Sequence, residues 1–222
     1  TLADTLYVQD RLDESASILM DALRKDTELF GPNSENVVAV LDRLAIVRYS
    51  QRRLHEAETF SRDAIARGRI RFGERHLAIA NSAATLSRTL IELGRFAEAE
   101  VMLRETLSIY AETLAPDHQH IASAEYFLGE LLLATNRPTE AEAVLTASMN
   151  RWKRGDAPPW RAMRSASALG EALHRQGRTA EATKYLSESL RELSTDPKAD
   201  REAKDKARAR AKRYLRTPLT PQ

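Results

Sequence analysis

Gly94-Arg95-Phe96-Ala97-Glu98-Ala99 is the stretch that decides the fold, because four counterparts lie at even steps along the chain. They are Asp10-Arg11-Leu12-Asp13-Glu14-Ser15, Arg52-Arg53-Leu54-His55-Glu56-Ala57, Asn136-Arg137-Pro138-Thr139-Glu140-Ala141 and Gly177-Arg178-Thr179-Ala180-Glu181-Ala182. Their last residues fall at 15, 57, 99, 141 and 182, so the steps are 42, 42, 42 and 41 residues. A period held this steadily marks a repeat architecture in which each unit stacks on its neighbours.

Each unit carries two apolar stripes at helical spacing. In the third unit the first stripe is Ala83, Leu86, Ser87, Leu90 and Leu93, and the second is Phe96, Ala99, Leu103, Thr106, Leu107 and Tyr110. Gly94 between them tolerates the left-handed backbone that ends a helix. The second unit repeats the pattern with Leu41, Leu44 and Ala45, then Leu54, Ala57, Phe60, Ala64 and Ile65. The spacing predicts helices near 36–50, 54–70, 78–93, 96–113, 120–135, 138–153, 159–176 and 179–194. The first unit lacks most of its first helix. Small residues recur at Ala3, Ala45, Ser87, Gly129 and Gly170 on the first helix, and at Ser15, Ala57, Ala99, Ala141 and Ala182 on the second. Two antiparallel helices approach closely only at such places, with larger apolar side chains a turn away.

Composition agrees. With 42% hydrophobic and 30% charged residues, the chain fits neither the disordered nor the membrane class. Only 8 Gly and 8 Pro interrupt 222 residues, which favours an all-α fold. The absence of Cys excludes disulfides and Cys-based metal sites. No stretch approaches 18 apolar residues, and a net charge of +2 does not by itself point to nucleic acid or a membrane. The opening at Thr1, already helical in pattern, reads as part of a longer protein.

The small-residue offsets, the Gly-Arg-Phe-Ala-Glu-Ala turn and the two-helix unit resemble tetratricopeptide (TPR) repeats over essentially the whole chain. The 42-residue period and the connectors Phe30-Gly31-Pro32-Asn33-Ser34, Phe72-Gly73-Glu74-Arg75-His76 and Leu114-Ala115-Pro116-Asp117-His118 are similar to the kinesin-light-chain type. The resemblance implies an all-α, right-handed α-solenoid of antiparallel helix pairs. About four and a half repeats are expected, at 1–38, 39–80, 81–122, 123–163 and 164–198, with a basic capping helix and tail at 199–222. In that final segment Ala199, Ala203, Ala207, Ala211 and Leu215 lie four residues apart, the pattern of a helix that closes the open end.

Carried over position by position, the resemblance implies a partner-binding groove lined by the first helices. The second unit contributes Asp42, Arg43, Ile46, Tyr49 and Ser50, and the third Asn81, Thr85, Arg88, Ile91 and Glu92. The fourth contributes Tyr126, Phe127, Glu130 and Leu133, and the fifth Arg164, Ser167, Glu171, His174 and Arg175. Aromatic and Arg side chains are the types that dominate interface energetics. Two placements stay open for Tyr126 and Phe127: facing the groove, or packed between helices. The Asn pairs with which kinesin-light-chain repeats hold a peptide backbone are replaced here by Asp42-Arg43, Ala84-Thr85, Tyr126-Phe127 and Ser167-Ala168. The fold is therefore expected to carry over and the ligand is not. The implied function is a non-catalytic, cytoplasmic scaffold for a protein or peptide ligand, without cofactor or metal. It would form the C-terminal part of a kinase- or regulator-linked signalling protein.

Particular residues admit other readings. Glu14, Glu56, Glu98, Glu140 and Glu181 recur in every unit, and a first-turn acid next to the positive end of a helix dipole accounts for them better than a row of catalytic or metal-binding carboxylates. His118 and His120 form an H-x-H pair, yet His118 also falls on the histidine of the connector. Neither a G-x-S-x-G turn nor a G-x-x-x-x-G-K loop occurs. From Lys198 to Arg216 nine Lys or Arg face three acids, a local charge of +6 that leaves the rest at −4. Such a run can meet nucleic acid or acidic lipid, but the solvated face of a capping helix is the stronger expectation. Self-association through the short first unit and the groove, giving a homodimer, is the remaining alternative.

Overall fold

The computed structural model describes residues 1–215, within which eleven helices and no strands occur. Arg216 and the rest of the tail expected at 216–222 lie outside the described residues. The helices are α1 (Leu2–Val8), α2 (Leu12–Phe30), α3 (Glu35–Ser50), α4 (Leu54–Phe72), α5 (Leu77–Glu92) and α6 (Phe96–Thr113). They continue as α7 (Gln119–Ala134), α8 (Pro138–Arg154), α9 (Trp160–Arg175), α10 (Thr179–Thr195) and α11 (Arg201–Tyr214). The array is an all-α solenoid of helix pairs, and it falls into two compact units, residues 1–113 and 114 onward.

One short device joins the two helices of every pair. Asp10, Arg52, Gly94, Asn136 and Gly177 have φ of 60°, 62°, 74°, 58° and 81°. The amide of the next residue, always Arg, reaches back five residues: Arg95 to the Leu90 carbonyl at 2.9 Å, Arg178 to that of Leu173 at 3.0 Å. The left-handed residue itself bonds three residues back, as Gly94 does to Ile91 at 3.0 Å. This is a Schellman ending, which satisfies the orphan carbonyls of the first helix and reverses the chain at once. The same Arg then precedes the second helix and clamps the Glu three residues on. Arg11 and Glu14, Arg53 and Glu56, Arg137 and Glu140, and Arg178 and Glu181 form hydrogen-bonded ion pairs, as do Arg95 and Glu98. Each recurrent Glu thus lies in the first turn, as its dipole role requires, with the Arg of its own turn for a partner.

Between pairs, the connectors cap the next helix. His76 Nδ1 accepts from the Ala78 amide and His118 Nδ1 from the His120 amide, both at 3.2 Å. Ser34 and Asp200 do the same for Val37 and Ala203. The connector histidines are therefore helix caps in place.

In the first unit α3 packs on α4, α4 on α5, and α5 on α6, while α3 runs beside α5. The small-residue positions are the closest contacts: Ala45, Ala57, Ser87 and Ala99 are fully buried. In the second unit α7, α8, α9 and α10 pack in the same succession. Here the approach is closer still. A Cβ built on Gly170 would lie 2.7 Å from Leu186 Cγ, and one on Gly129 2.4 Å from Leu145 Cγ.

Helix α11 continues the series, packing beside α9 and on α10. It takes the place of the first helix of a further unit. Ala199, Ala203 and Ala207 meet Trp160 and Leu193, so the alanine stripe faces inward. Methyl groups contribute only about 0.8 kcal/mol each on burial. Ion pairs to α7 and α9 add to the attachment.

Candidate functional site

In the first unit the residues expected to line a groove lie on α3 and α5 and differ in exposure. Arg88 lays its guanidinium 4.5 Å from the centroid of the Tyr49 ring, a cation–π contact that holds both side chains across the two helices. Glu92 is exposed and pairs with Arg52 at 2.8 Å. Arg43 turns back to α1, 3.2 Å from Thr1 Oγ1 and 3.5 Å from the Asp4 carboxylate. Ile46 is half-buried. Thr85 is buried, with its hydroxyl donating to the Asn81 carbonyl at 3.4 Å, and so acts as packing.

Asp42 and Asn81 share a cavity of about 170 Å³. Asp42 accepts a hydrogen bond from Ser82 Oγ at 2.9 Å, and Asn81 Oδ1 accepts one from the Tyr110 hydroxyl, also at 2.9 Å. Val38, Phe72 and Ala78 supply apolar wall, and Glu35 stands exposed at the rim. The Phe72 ring stacks on His76 with centroids 4.2 Å apart. Burial pushes the Asp42 carboxyl up to about 6, only partly offset by the Ser82 hydrogen bond and the Arg43 charge. Burial also raises the Tyr110 hydroxyl, with the Asp42 charge adding to it.

On the corresponding face of the second unit, side chains of α11 reach the acids of α7 and α9. Arg210 of α11 donates to Glu130 on α7 at 2.5 Å and to Glu171 on α9 at 2.7 Å. Lys206 lies 3.0 Å from Glu130, and the Tyr214 hydroxyl donates to Glu171 at 3.0 Å. Arg175 completes the cluster, bonded to Glu171 at 2.5 Å and to the Leu133 carbonyl at 2.7 Å. His174 packs its ring 4.7 Å from that of Tyr214. Burial would raise Glu130, but the charges of Arg210 and Lys206 outweigh it and hold the carboxyl at about 2. Glu171 is held low by the same balance, with Arg210 as its chief partner.

Tyr126 is buried beneath this cluster, with Arg164 stacked 4.0 Å from its ring centroid and Phe127 edge-on at 5.2 Å. Ser167 is buried as well. Of the two placements open for Tyr126, packing between helices is the one observed, and Phe127 is half-buried beside it. The sequence reading did not anticipate Lys206, Arg210 and Tyr214. Their signal was present: they form a stripe at four-residue spacing beside the alanine stripe, opposite in charge to Glu130 and Glu171. Two of the basic residues counted for a nucleic-acid reading are thereby committed to internal pairs. Among the described residues, no helix is long and apolar enough to cross a membrane.

Antiparallel helix pairs at a constant step, each closed by the same turn and capped by one extra helix, define an α-solenoid repeat protein. Its family model matches residues 1–70, 44–112, 79–154 and 120–191, and the chain belongs to the tetratricopeptide repeat family. The fold is shared with a Podosopora anserina protein described as a kinesin light chain with nearly identical TPR-like repeats. That similarity has a TM-score of 0.69 at 17% identity, over 97% of this chain and 94% of that one. It is shared with a Rap protein complexed with competence and sporulation factor (TM-score 0.74, 14% identity), covering 96% of this chain and 57% of the other. A third similar structure is YrrB, described as a TPR protein with an unusual peptide-binding site (TM-score 0.56, 14% identity, 93% and 88% covered). Among curated proteins none matches the chain in sequence.

Proposed function

We propose that this chain is a non-catalytic interaction scaffold, and that the α3/α5 face of its first unit holds a peptide or protein segment. One observation carries the reading. On the first-helix face of the second unit, cationic side chains of α11 reach in and pair with the acids, whereas that of the first unit presents a cavity between Asp42 and Asn81. The Rap complex and the YrrB description support it, since both structures share this fold and their descriptions name a bound factor or a peptide-binding site. A cytoplasmic setting within a larger kinase- or regulator-linked signalling protein belongs to the same proposal.

A photo-crosslinking amino acid placed at Ala39 or Ala84, on the α3/α5 face, tests it against one at Ala66 on α4. Expected is capture of the same partner from both face positions and none from Ala66, with capture reduced by Arg88→Glu. Equal capture from Ala66 would refute the assignment.

A second reading has its own observation. Leu2 and Val8 are 63% and 84% exposed on α1, so that edge of the first unit carries apolar side chains that self-association would cover. Light scattering decides: a dimer that Val8→Glu converts to monomer supports this edge as a homodimer contact.

A further inference from the structure

We propose that the first-unit cavity binds a lysine or arginine side chain of the partner, with Asp42 as its counter-ion. This rests on the α3/α5 face being the partner's surface, and it adds the chemistry that surface selects. Four observations converge on it.

Asp42 lines the cavity, and among the described residues a single hydrogen bond reaches its carboxylate, from Ser82. Arg43, the neighbouring cation, is engaged by Asp4 and Thr1. The walls suit a long basic side chain. Val38 and Phe72 offer apolar contact for its methylenes, and Glu35 adds negative charge at the rim. The second unit supplies the precedent within the same molecule. There Glu130 and Glu171, acids on first-helix faces, are met by Lys206 and Arg210 reaching in from a helix laid alongside. Asp42 is the acid of the α3/α5 face with no such cation delivered to it. Its raised carboxyl value is what burial does to an acid left in that position.

The test is an amide NMR titration of the whole chain with N-acetyl-lysine amide, its neutral counterpart N-acetyl-norleucine amide, and N-acetyl-glutamate amide. Expected are shifts of the Ala39 and Ala78 amides and the Asn81 side chain with the lysine compound, at least about tenfold tighter than with norleucine, the size of one charge-assisted hydrogen bond. Asp42→Asn is expected to erase that preference and Asp42→Glu to keep it. The wild-type selectivity stands as evidence whether or not the variants fold. An absent response, an equal response to norleucine or glutamate, or a lysine response unchanged in a folded Asp42→Asn overturns the proposal. Failure of the face itself shows instead in the crosslinking at Ala39 and Ala84.

Discussion

The α3/α5 face of the first unit and the α7/α9 face of the second are built from the same repeat, yet they treat a carboxylate in opposite ways. Asp42 is pushed up to about 6 by burial, while Glu130, also out of solvent, is held down at about 2 by two cations. The scaffold is common to both. The difference lies in whether a further helix brings positive charge onto the face. Burial alone therefore does not decide an acid's state in these repeats; the neighbour supplied by the next helix does.

Removing that neighbour has the largest expected effect. Arg210→Ala removes a charge-assisted hydrogen bond from each of Glu130 and Glu171, at about 1.5–3 kcal/mol apiece, while Lys206 and Arg175 still pair with the two acids. Urea unfolding measures it, and the neutral pair Arg210→Met/Glu171→Gln is expected to recover most of the loss. An Arg210→Ala protein of unchanged stability would mean that the alanine stripe alone holds α11.

Next comes the closer helix approach in the second unit. Gly170→Ala drives a Cβ to 2.7 Å from Leu186 Cγ and 3.2 Å from its backbone amide, and such overpacking costs about 1–3 kcal/mol. Ala45 holds the equivalent position in the first unit and already accommodates its Cβ, fully buried. The same denaturation series should show Ala45→Gly losing about 1 kcal/mol for helix propensity alone.

The smallest effect is a pH dependence. Asp42 has a folded value of about 6, above its ordinary 3.8, so the fold binds the proton more readily than the unfolded chain does. Its stabilising contribution is full below about 4 and is lost as pH rises through 6. Glu130 has the opposite sign: its contribution is full above 4.5 and lost only as pH falls toward 2, so it is silent between 7 and 5. Glu35 and Arg43 of α3, His76 before α5 and Tyr110 of α6 surround Asp42. His120, lowered mainly by burial and then by His118, works against the fold on acidification. The informative quantity is thus the difference between wild type and Asp42→Asn. Acidifying from pH 7 to 5 should favour the wild type by about 3–6 °C in Tm relative to the variant. A difference that does not change with pH would contradict the burial of Asp42.

The helices were legible because two local signals coincide. Apolar residues recur at helical spacing, and the residue before each Arg takes the left-handed turn, so α3, expected at 36–50, runs Glu35–Ser50. The repeat-locked Glu was legible as a first-turn acid. Its Arg partner stood in the quoted motif but needed the turn geometry to bring the two side chains together. The alanine stripe of residues 199–211 was legible as a capping face. The reach of Lys206 and Arg210 to Glu130 and Glu171 was not, because periodicity tells which side of a helix is buried and not which distant helix lies across from its edge. The same limit applies to Tyr126, whose burial beside Arg164, Phe127 and Lys206 depends on helices that the periodicity of α7 does not locate.

The turn between paired helices has a kinetic consequence. Its backbone bonds span three and five residues and its Arg–Glu clamp three, so the contacts of the turn itself are local in sequence. Loop-closure cost is small over such spans and local contacts speed folding. Each hairpin can take its register before any neighbour is available to stack on, and the array can grow from whichever pair closes first.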